Sequence, residues 1–199
     1  MVPIVNANPL VIGSVDKSEE LFGGLEYELR STDGTVLARA REDLGESAGK
    51  RFVRSFMRTM ANSRSVVVES PHGETLHLHE ERTRVESRTS VSTAAGALIG
   101  TVTLTERFGV SRRFAVHDAY GRETAAFGIN GPKNTWEGCT VTGPDGRPLA
   151  DIAVTGRRNK TLTYFPDFTV HQRMALPDPL PLLLRVAPMP LDFAEIVDS

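Results

Sequence analysis

The feature that most constrains the fold of this chain is a recurring unit of two short alternating apolar runs around a turn that ends in glycine. Alternation with a period of two is typical of a strand with one buried face. A glycine at the end of a short turn supplies the positive φ that hairpin loops need. The unit therefore predicts a series of antiparallel hairpins from a degenerate repeat. Its glycines are Gly34, Gly73, Gly96, Gly121 and Gly146, of which the last four lie about 25 residues apart.

Between residues 9 and 172 the repeat gives about twelve short strands. An open sheet of this size would expose two edges that invite aggregation, so we expect a sandwich or a closed barrel. The segment from 179 to 197 decides between them, because its apolar residues surround a helix axis almost completely and such a helix is buried or spans a membrane. Its prolines and charged residues argue against a span. These residues are Pro181, Pro188, Pro190, Arg185, Asp192 and Glu195.

The sequence thus predicts a mainly β, single-domain protein over residues 1–199. A closed antiparallel barrel of about twelve strands would enclose a central helix over about 179–197. Pro177, Asp178 and Pro179 have the composition of a helix start.

A second helix is predicted over residues 48–62, where apolar residues fall on one face and basic residues on the other. No acidic residue occurs between residues 48 and 64. Such a helix can lie on an anionic membrane. It can equally pack its apolar face over one end of the barrel and leave its arginines in water. The sequence leaves both interpretations open.

Composition limits the function classes. The 23 basic and 25 acidic residues give a net charge of −2, which does not favour nucleic acid as a partner. A single cysteine excludes an internal disulfide and a multi-cysteine zinc site. We find no leader sequence and no lipidation motif, and we expect a cytoplasmic protein.

Motifs for catalysis or metal binding are weak, and we expect neither an enzyme nor a cofactor. Residues 45–51 approach a phosphate-binding loop but have one residue too few between the glycines and lack the final Ser or Thr. His77, His79 and Glu81 share one face of a predicted strand. They could bind a metal ion as three ligands, or they could simply form a hydrated strand face.

Other reactive side chains have structural explanations. The lone thiol of Cys139 lies in a predicted strand and is expected to be a small buried group. Asp33, Asp118 and Asp145 lie in the glycine turns, where aspartate accepts hydrogen bonds from its own backbone.

Several of these units together resemble the phospholipid scramblase/LURP-one-related family, which has the Tubby-like C-terminal barrel fold. They are residues 27–37, 114–123, 139–152 and 168–180, followed by the apolar helix. The resemblance covers about residues 20–197. It implies a twelve-stranded barrel around a C-terminal helix and a non-enzymatic module that contacts lipid or protein.

We therefore expect this chain to contact anionic phospholipid head groups through basic surface residues, peripherally at a membrane. The alternative is a soluble protein-interaction scaffold with no lipid role. Unlike scramblases, the chain has no proline-rich N-terminal arm and no cysteine cluster, and residues 157–168 hold one carboxylate, so scrambling and calcium binding are not inferred. The candidate anion-binding residues are Lys50, Arg51, Arg54, Arg58, Arg64, Arg112, Arg113, Arg157, Arg158 and Lys160.

Overall fold

The computed structural model describes residues 8–15, 26–43, 63–83, 86–108, 111–131, 136–160 and 163–195. They form twelve strands followed by two short helices. The first six strands are β1 (Leu10–Ser14), β2 (Glu26–Ser31), β3 (Val36–Glu42), β4 (Ser63–Glu69), β5 (Thr75–Arg82) and β6 (Ser87–Thr93). The next six are β7 (Leu98–Phe108), β8 (Ser111–Asp118), β9 (Glu123–Ile129), β10 (Gly138–Thr142), β11 (Pro148–Lys160) and β12 (Thr163–Gln172). The helices are α1 (Leu180–Val186) and α2 (Pro188–Glu195).

The strands form a closed antiparallel barrel in which each pairs with its neighbours in sequence and β1 pairs with β12. The closing register sets Leu10 opposite Val170. Beside it, the Asn8 side chain donates to the Gln172 carbonyl and accepts from the Gln172 N–H, each at 2.9 Å. The predicted barrel of twelve strands is confirmed.

Five hairpin turns of one construction lie at the same end of the barrel, which we call the turn end. In the turn between β8 and β9, the Asp118 N–H donates to the Arg122 carbonyl and the Gly121 N–H donates to the Asp118 carbonyl, each at 3.0 Å. The other four turns repeat this pair of bonds. The glycine that ends each turn has a φ between 78° and 89°, a conformation that only glycine adopts readily. The repeat predicted from the sequence is confirmed.

The opposite end, which we call the loop end, carries the connections β1–β2, β3–β4, β5–β6, β7–β8, β9–β10 and β11–β12. The longest of these connections joins Asp43 to Ser63. The helix predicted over 48–62 belongs to this connection and lies outside the described residues.

The barrel interior is filled by inward side chains of alternating strand residues and by the C-terminal helices. Leu180, Leu183, Leu184 and Val186 of α1 are all buried. Helix α1 contacts β7, β8 and β12. The predicted burial of the C-terminal helix inside the barrel is confirmed for the described residues.

The C-terminal segment, predicted as a helix over about 179–197 with the effect of Pro188 and Pro190 left open, is two helices. The break is at Ala187, whose N–H still donates to the Leu183 carbonyl at 3.0 Å. Pro188 and Pro190 have no N–H to donate to the preceding turn, so the helical hydrogen-bond series is interrupted there. The series resumes at Leu191, whose N–H donates to the Ala187 carbonyl at 3.4 Å, and Ala187 and Met189 remain buried.

One charged side chain of α1 lies inside the barrel. Arg185 is 1% exposed, and its Nη1 has no hydrogen-bond partner among the described residues. Burial lowers the pKa of this guanidinium to about 10, because a charge is costly to remove from water.

Candidate functional site

The barrel topology brings the sequence-predicted basic residues to one end. Arg64 is the second residue of β4, while Arg112 and Arg113 are the second and third residues of β8. Arg157, Arg158 and Lys160 end β11. All these positions are at the loop end, because they adjoin the connections between β3 and β4, β7 and β8, and β11 and β12. The topology therefore supplies the shared rim that the sequence alone could not establish.

The best described part of this rim is the β7–β8 hairpin. Its tip carries Phe108, whose side chain is 88% exposed. Arg107 lies opposite Arg112 across the hairpin, and Glu106 lies opposite Arg113. The hairpin end that bears this exposed aromatic ring thus also carries three arginines and one carboxylate. We call these five residues the hairpin lip.

Phe108 is not among the residues that the sequence predicted for the site. A signal was available, because Phe108, Gly109 and Val110 form a short apolar run between Arg107 and Arg112. The run lies in the connection between two predicted strands. Solvated turns are usually polar, so apolar residues between two arginines are unusual there.

A groove lies on the outer face of the barrel beside the hairpin lip. Its volume is 360 Å³, within the range of about 300–1,000 Å³ that is typical of ligand clefts. The small residues Ala126 and Gly128 of β9 form its floor, and Thr140 and Thr142 of β10 line one side. The hairpin lip residues Glu106, Phe108, Arg112 and Arg113 also line it.

Arg64 does not lie on the surface with the other candidates. Its side chain is 4% exposed, and its Nε lies 3.6 Å from Oε1 of Glu42, which is similarly buried. Arg64 is in phase with the buried Val66 and Val68, and residues two apart on a strand share a face. The ion pair therefore lies on the inner face of the barrel, and Arg64 is not part of the exposed basic surface.

A buried carboxylate lies on the same inner face. Glu80, the register partner of Arg64, accepts a hydrogen bond from Ser87 Oγ at 2.7 Å. Its Oε1 also lies 3.5 Å from Arg82 Nη2. The interior near the loop end thus contains paired charges, whereas the interior around α1 is mostly apolar.

For the basic candidates at the end of β11, the structure gives the pairing of the backbone. The backbones of Arg157, Arg158 and Lys160 pair with Pro166, Phe165 and Thr163 of β12. Lys50, Arg51, Arg54 and Arg58 lie outside the described residues.

The histidines that the sequence proposed as metal ligands lie on the outer face of β5. His77 and His79 are exposed, and Ser65 Oγ lies 2.9 Å from His79 Nδ1. His79 Nε2 lies 3.8 Å from Glu81 Oε1. Among the described residues, no three metal-ligating side chains form a cluster.

Cys139 packs against the hydrophobic core. Burial, and to a lesser extent the nearby charge of Asp151, raises the pKa of its thiol to about 12. A thiol with this pKa holds its proton at neutral pH and is a poor nucleophile.

The turn aspartates act on their own backbone, as predicted. Asp33 accepts hydrogen bonds from Ser31 Oγ and from the Thr35 N–H, and these bonds lower its pKa to about 2. Asp118 accepts from the N–H groups of Tyr120 and Arg122, and the bond from Arg122 is the main cause of its lowered pKa.

The turn end carries an aromatic residue and a cation that can be compared with the hairpin lip. Tyr120 is 87% exposed, and the guanidinium carbon of Arg122 lies 5.7 Å from the centre of its ring. Arg122 is also paired with Asp118 at 2.7 Å. At the hairpin lip, by contrast, Glu106 lies opposite Arg113 across the strands, and no ion pair joins Arg113 to the described residues.

Comparison with known proteins adds no relative: no family model, curated protein or solved structure matches this chain at a significant level. Within the residues that the structure describes, no helix has the length and apolar character needed to cross a membrane.

Proposed function

We propose that this chain is a non-enzymatic module, similar to the scramblase/LURP-one-related proteins, that contacts anionic phospholipid with the loop end of its barrel. The observation that carries the proposal is the hairpin lip, where Phe108 is 88% exposed between Arg107 and Arg112. The module would act in the cytoplasm, peripherally at a membrane.

The chemistry of the hairpin lip suits a membrane interface. Phenylalanine is among the residues that interfacial segments bury at the boundary between head groups and acyl chains. Arginine places its apolar stem against hydrocarbon while its guanidinium remains among phosphates. Each basic residue near an anionic surface contributes about 1 kcal/mol. Phe108 would enter the interface while Arg107 and Arg113 bind the phosphates around it.

The direct test compares two double variants of equal charge change by flotation with vesicles. Arg107→Gln with Arg113→Gln removes two cations from the loop end, and Arg122→Gln with Arg147→Gln removes two from the turn end. We expect the first pair to weaken binding to vesicles of phosphatidylcholine and phosphatidylserine by about 2 kcal/mol, on the order of thirtyfold. The second pair should have little effect. High salt should abolish the difference.

A second comparison tests the aromatic residue. Phe108→Ser should weaken vesicle binding even at high salt, because the loss is of apolar contact, whereas Tyr120→Ser should not. Equal effects from the two variants would contradict the proposed orientation, and absence of wild-type binding to any vesicle would overturn the lipid role.

The predicted helix over 48–62 is tested by the triple variant Arg51→Glu, Arg54→Glu and Arg58→Glu. If the triple variant binds anionic vesicles less tightly and its behaviour toward neutral vesicles is unchanged, that segment belongs to the same surface as the hairpin lip. Unchanged binding would restrict the lipid contact to the hairpin lip and β11.

A second candidate function, the protein-interaction scaffold, is favoured by a different observation. The groove beside the hairpin lip has a volume of 360 Å³, and the exposed ring of Phe108 lines it.

A further inference from the structure

A row of exposed residues crosses four strands beside the hairpin lip. Glu106 of β7 lies opposite Arg113 of β8, which lies opposite Gly128 of β9. In the antiparallel register of β9 with β10, Thr140 lies on the far side of Gly128. Because Gly128 has no side chain, the row is open between Arg113 and Thr140, and all four residues line the 360 Å³ groove. An exposed glycine in the outer face therefore makes room for a ligand at this end of the barrel.

The row presents charges of both signs to the groove. Glu106 and Arg113 are exposed, and neither side chain forms an ion pair or a hydrogen bond with another described residue. The next carboxylate along the row is different, because Asp151 accepts hydrogen bonds from Thr140 at 3.0 Å and from Arg173 at 2.6 Å. The groove therefore offers a guanidinium and a carboxylate, those of Arg113 and Glu106, that no other described side chain engages.

A site with a cation and an anion side by side favours a ligand that carries both charges. We infer that the groove binds the head group of an aminophospholipid, in which a phosphate and a primary ammonium are joined by two carbons. Arg113 would donate to the phosphate, and Glu106 would accept hydrogen bonds from the ammonium. This inference rests on the proposed function and adds to it the class of head group that the loop end selects.

Glu106 is the residue that separates this class from other anionic head groups. Phosphatidylglycerol offers a phosphate to Arg113 but only hydroxyl groups to Glu106, so the carboxylate would lose water without gaining a counter-charge. Choline carries a positive charge but no N–H group to donate to a carboxylate. A primary ammonium supplies both the charge and the donors, as a lysine side chain does.

Gly128 allows the groove to be filled without a change of charge. A Cβ placed there would meet only the Arg112 carbonyl oxygen, at 3.6 Å, which is an ordinary contact. Gly128→Val can therefore be accommodated in the strand while its side chain occupies the groove, and valine favours strands over glycine. This variant separates binding inside the groove from the general attraction of the surrounding cations.

The first test compares flotation with vesicles of phosphatidylcholine that contain equal fractions of either phosphatidylserine or phosphatidylglycerol, which have the same net charge. We expect the wild type to bind the phosphatidylserine vesicles about fivefold more tightly, the effect of one exposed ion pair. Glu106→Gln and Gly128→Val should each remove this preference and still bind phosphatidylglycerol vesicles. Glu123→Gln, which removes an exposed carboxylate at the turn end, is the control and should keep the preference.

The second test uses the same two head groups without a membrane, with binding followed by NMR. O-phospho-L-serine should shift the amide resonance of Gly128 in a saturable way, and the shift should be lost in Glu106→Gln. Glycerol 3-phosphate, which has nearly the same net charge at neutral pH, should shift it much less at the same concentration.

The two tests separate failure of this inference from failure of the proposed function. Equal binding of the wild type to both kinds of vesicle, or a preference that survives Glu106→Gln, would overturn the inference and leave the lipid contact intact. Absence of binding to either vesicle would overturn the proposed function. A saturable shift of Gly128 by phospho-L-serine would then assign the groove to a soluble aminophosphate, and no shift would overturn the site as well.

Discussion

The Cβ atom that Gly100 lacks would lie 2.6 Å from Cδ1 of Leu183, so a strand of the barrel wall and the helix inside it meet without space for a methyl group. The same Cβ would also collide with the backbone carbonyl of His117 on β8. Gly100 therefore sets how closely α1 approaches the junction of β7 and β8.

Replacing Gly100 with alanine tests this contact. The His117 carbonyl belongs to the barrel backbone and cannot yield as a side chain would, so we expect Gly100→Ala to lower the free energy of unfolding by about 1–3 kcal/mol. The measurement is urea denaturation followed by circular dichroism. Gly128→Ala is the matched control, because its Cβ has room and alanine is favoured over glycine in a strand by about 0.5–1 kcal/mol. Similar stabilities for the two variants would contradict the close approach of β8 and α1 to Gly100.

The turn glycines make a different prediction, since a Cβ at Gly121 would have no neighbour within 4 Å. The cost of Gly121→Ala is then conformational and should be about 1–2 kcal/mol, because φ is +79°. Asparagine tolerates this conformation better, so Gly121→Asn should cost less. Thermal and urea unfolding of both variants would measure the difference. Equal costs would indicate that the turn rearranges.

The lowered pKa of Asp33 predicts that the folded protein loses stability in acid. Its pKa is about 2 in the folded chain, against an ordinary value of 3.8, mainly because it accepts a hydrogen bond from Ser31. A lowered folded pKa favours folding above pH 4, and this contribution disappears as the pH falls from 4 to 2. The difference in melting temperature between the wild type and Asp33→Asn should therefore shrink over that range.

Ser31→Ala provides the control for the cause of this shift. The hydrogen bond from Ser31 Oγ is the largest cause of the lowered pKa of Asp33. Its removal should therefore raise that pKa, as measured by NMR titration of the carboxyl carbon. An unchanged pKa would assign the shift to the backbone of the turn instead.

The raised pKa of Cys139 predicts that its thiol reacts slowly in the folded protein. Burial raises the pKa of its thiol to about 12, so the reactive thiolate is scarce at pH 8. Ellman's reagent should react with the native protein far more slowly than with the urea-unfolded protein, and Cys139→Ser should abolish the reaction. Fast reaction of the native chain would show that the strand around Cys139 opens readily. The thiol of Cys139 has a higher pKa in the folded chain than in the unfolded chain, where the ordinary value is 9.0. As the pH rises from 9 to 12, the unfolded chain therefore loses this proton more readily, and the folded state loses stability.

The fold was largely predictable because its two main determinants are local. Period-two alternation, as in Val66 and Val68, assigns residues to the inner face, and Gly121 and Gly146 end turns that require positive φ. Pro188 and Pro190 marked a disturbance of the C-terminal helix, but the sequence left open whether they would end it or kink it.

The candidate site was only partly predictable. That Arg112 and Arg158 share one end of the molecule depends on long-range strand order, which no local pattern contains. Arg64 had a local signal, its phase with Val66, but its basic side chain suggested the surface. The groove depends on long-range strand order, and neither Gly128 nor Thr140 indicates in the sequence that β9 and β10 line it together with the hairpin lip.

The burial of α1 also has a consequence for synthesis. Chains are made and begin to fold from the N-terminus, and Leu183 emerges from the ribosome only after all twelve strands. Until then the inward side chains of the strands have no core to pack against, and the newly made sheet exposes its apolar face. We therefore expect the nascent chain to depend on chaperones during translation and to complete its barrel only after α1 has been made.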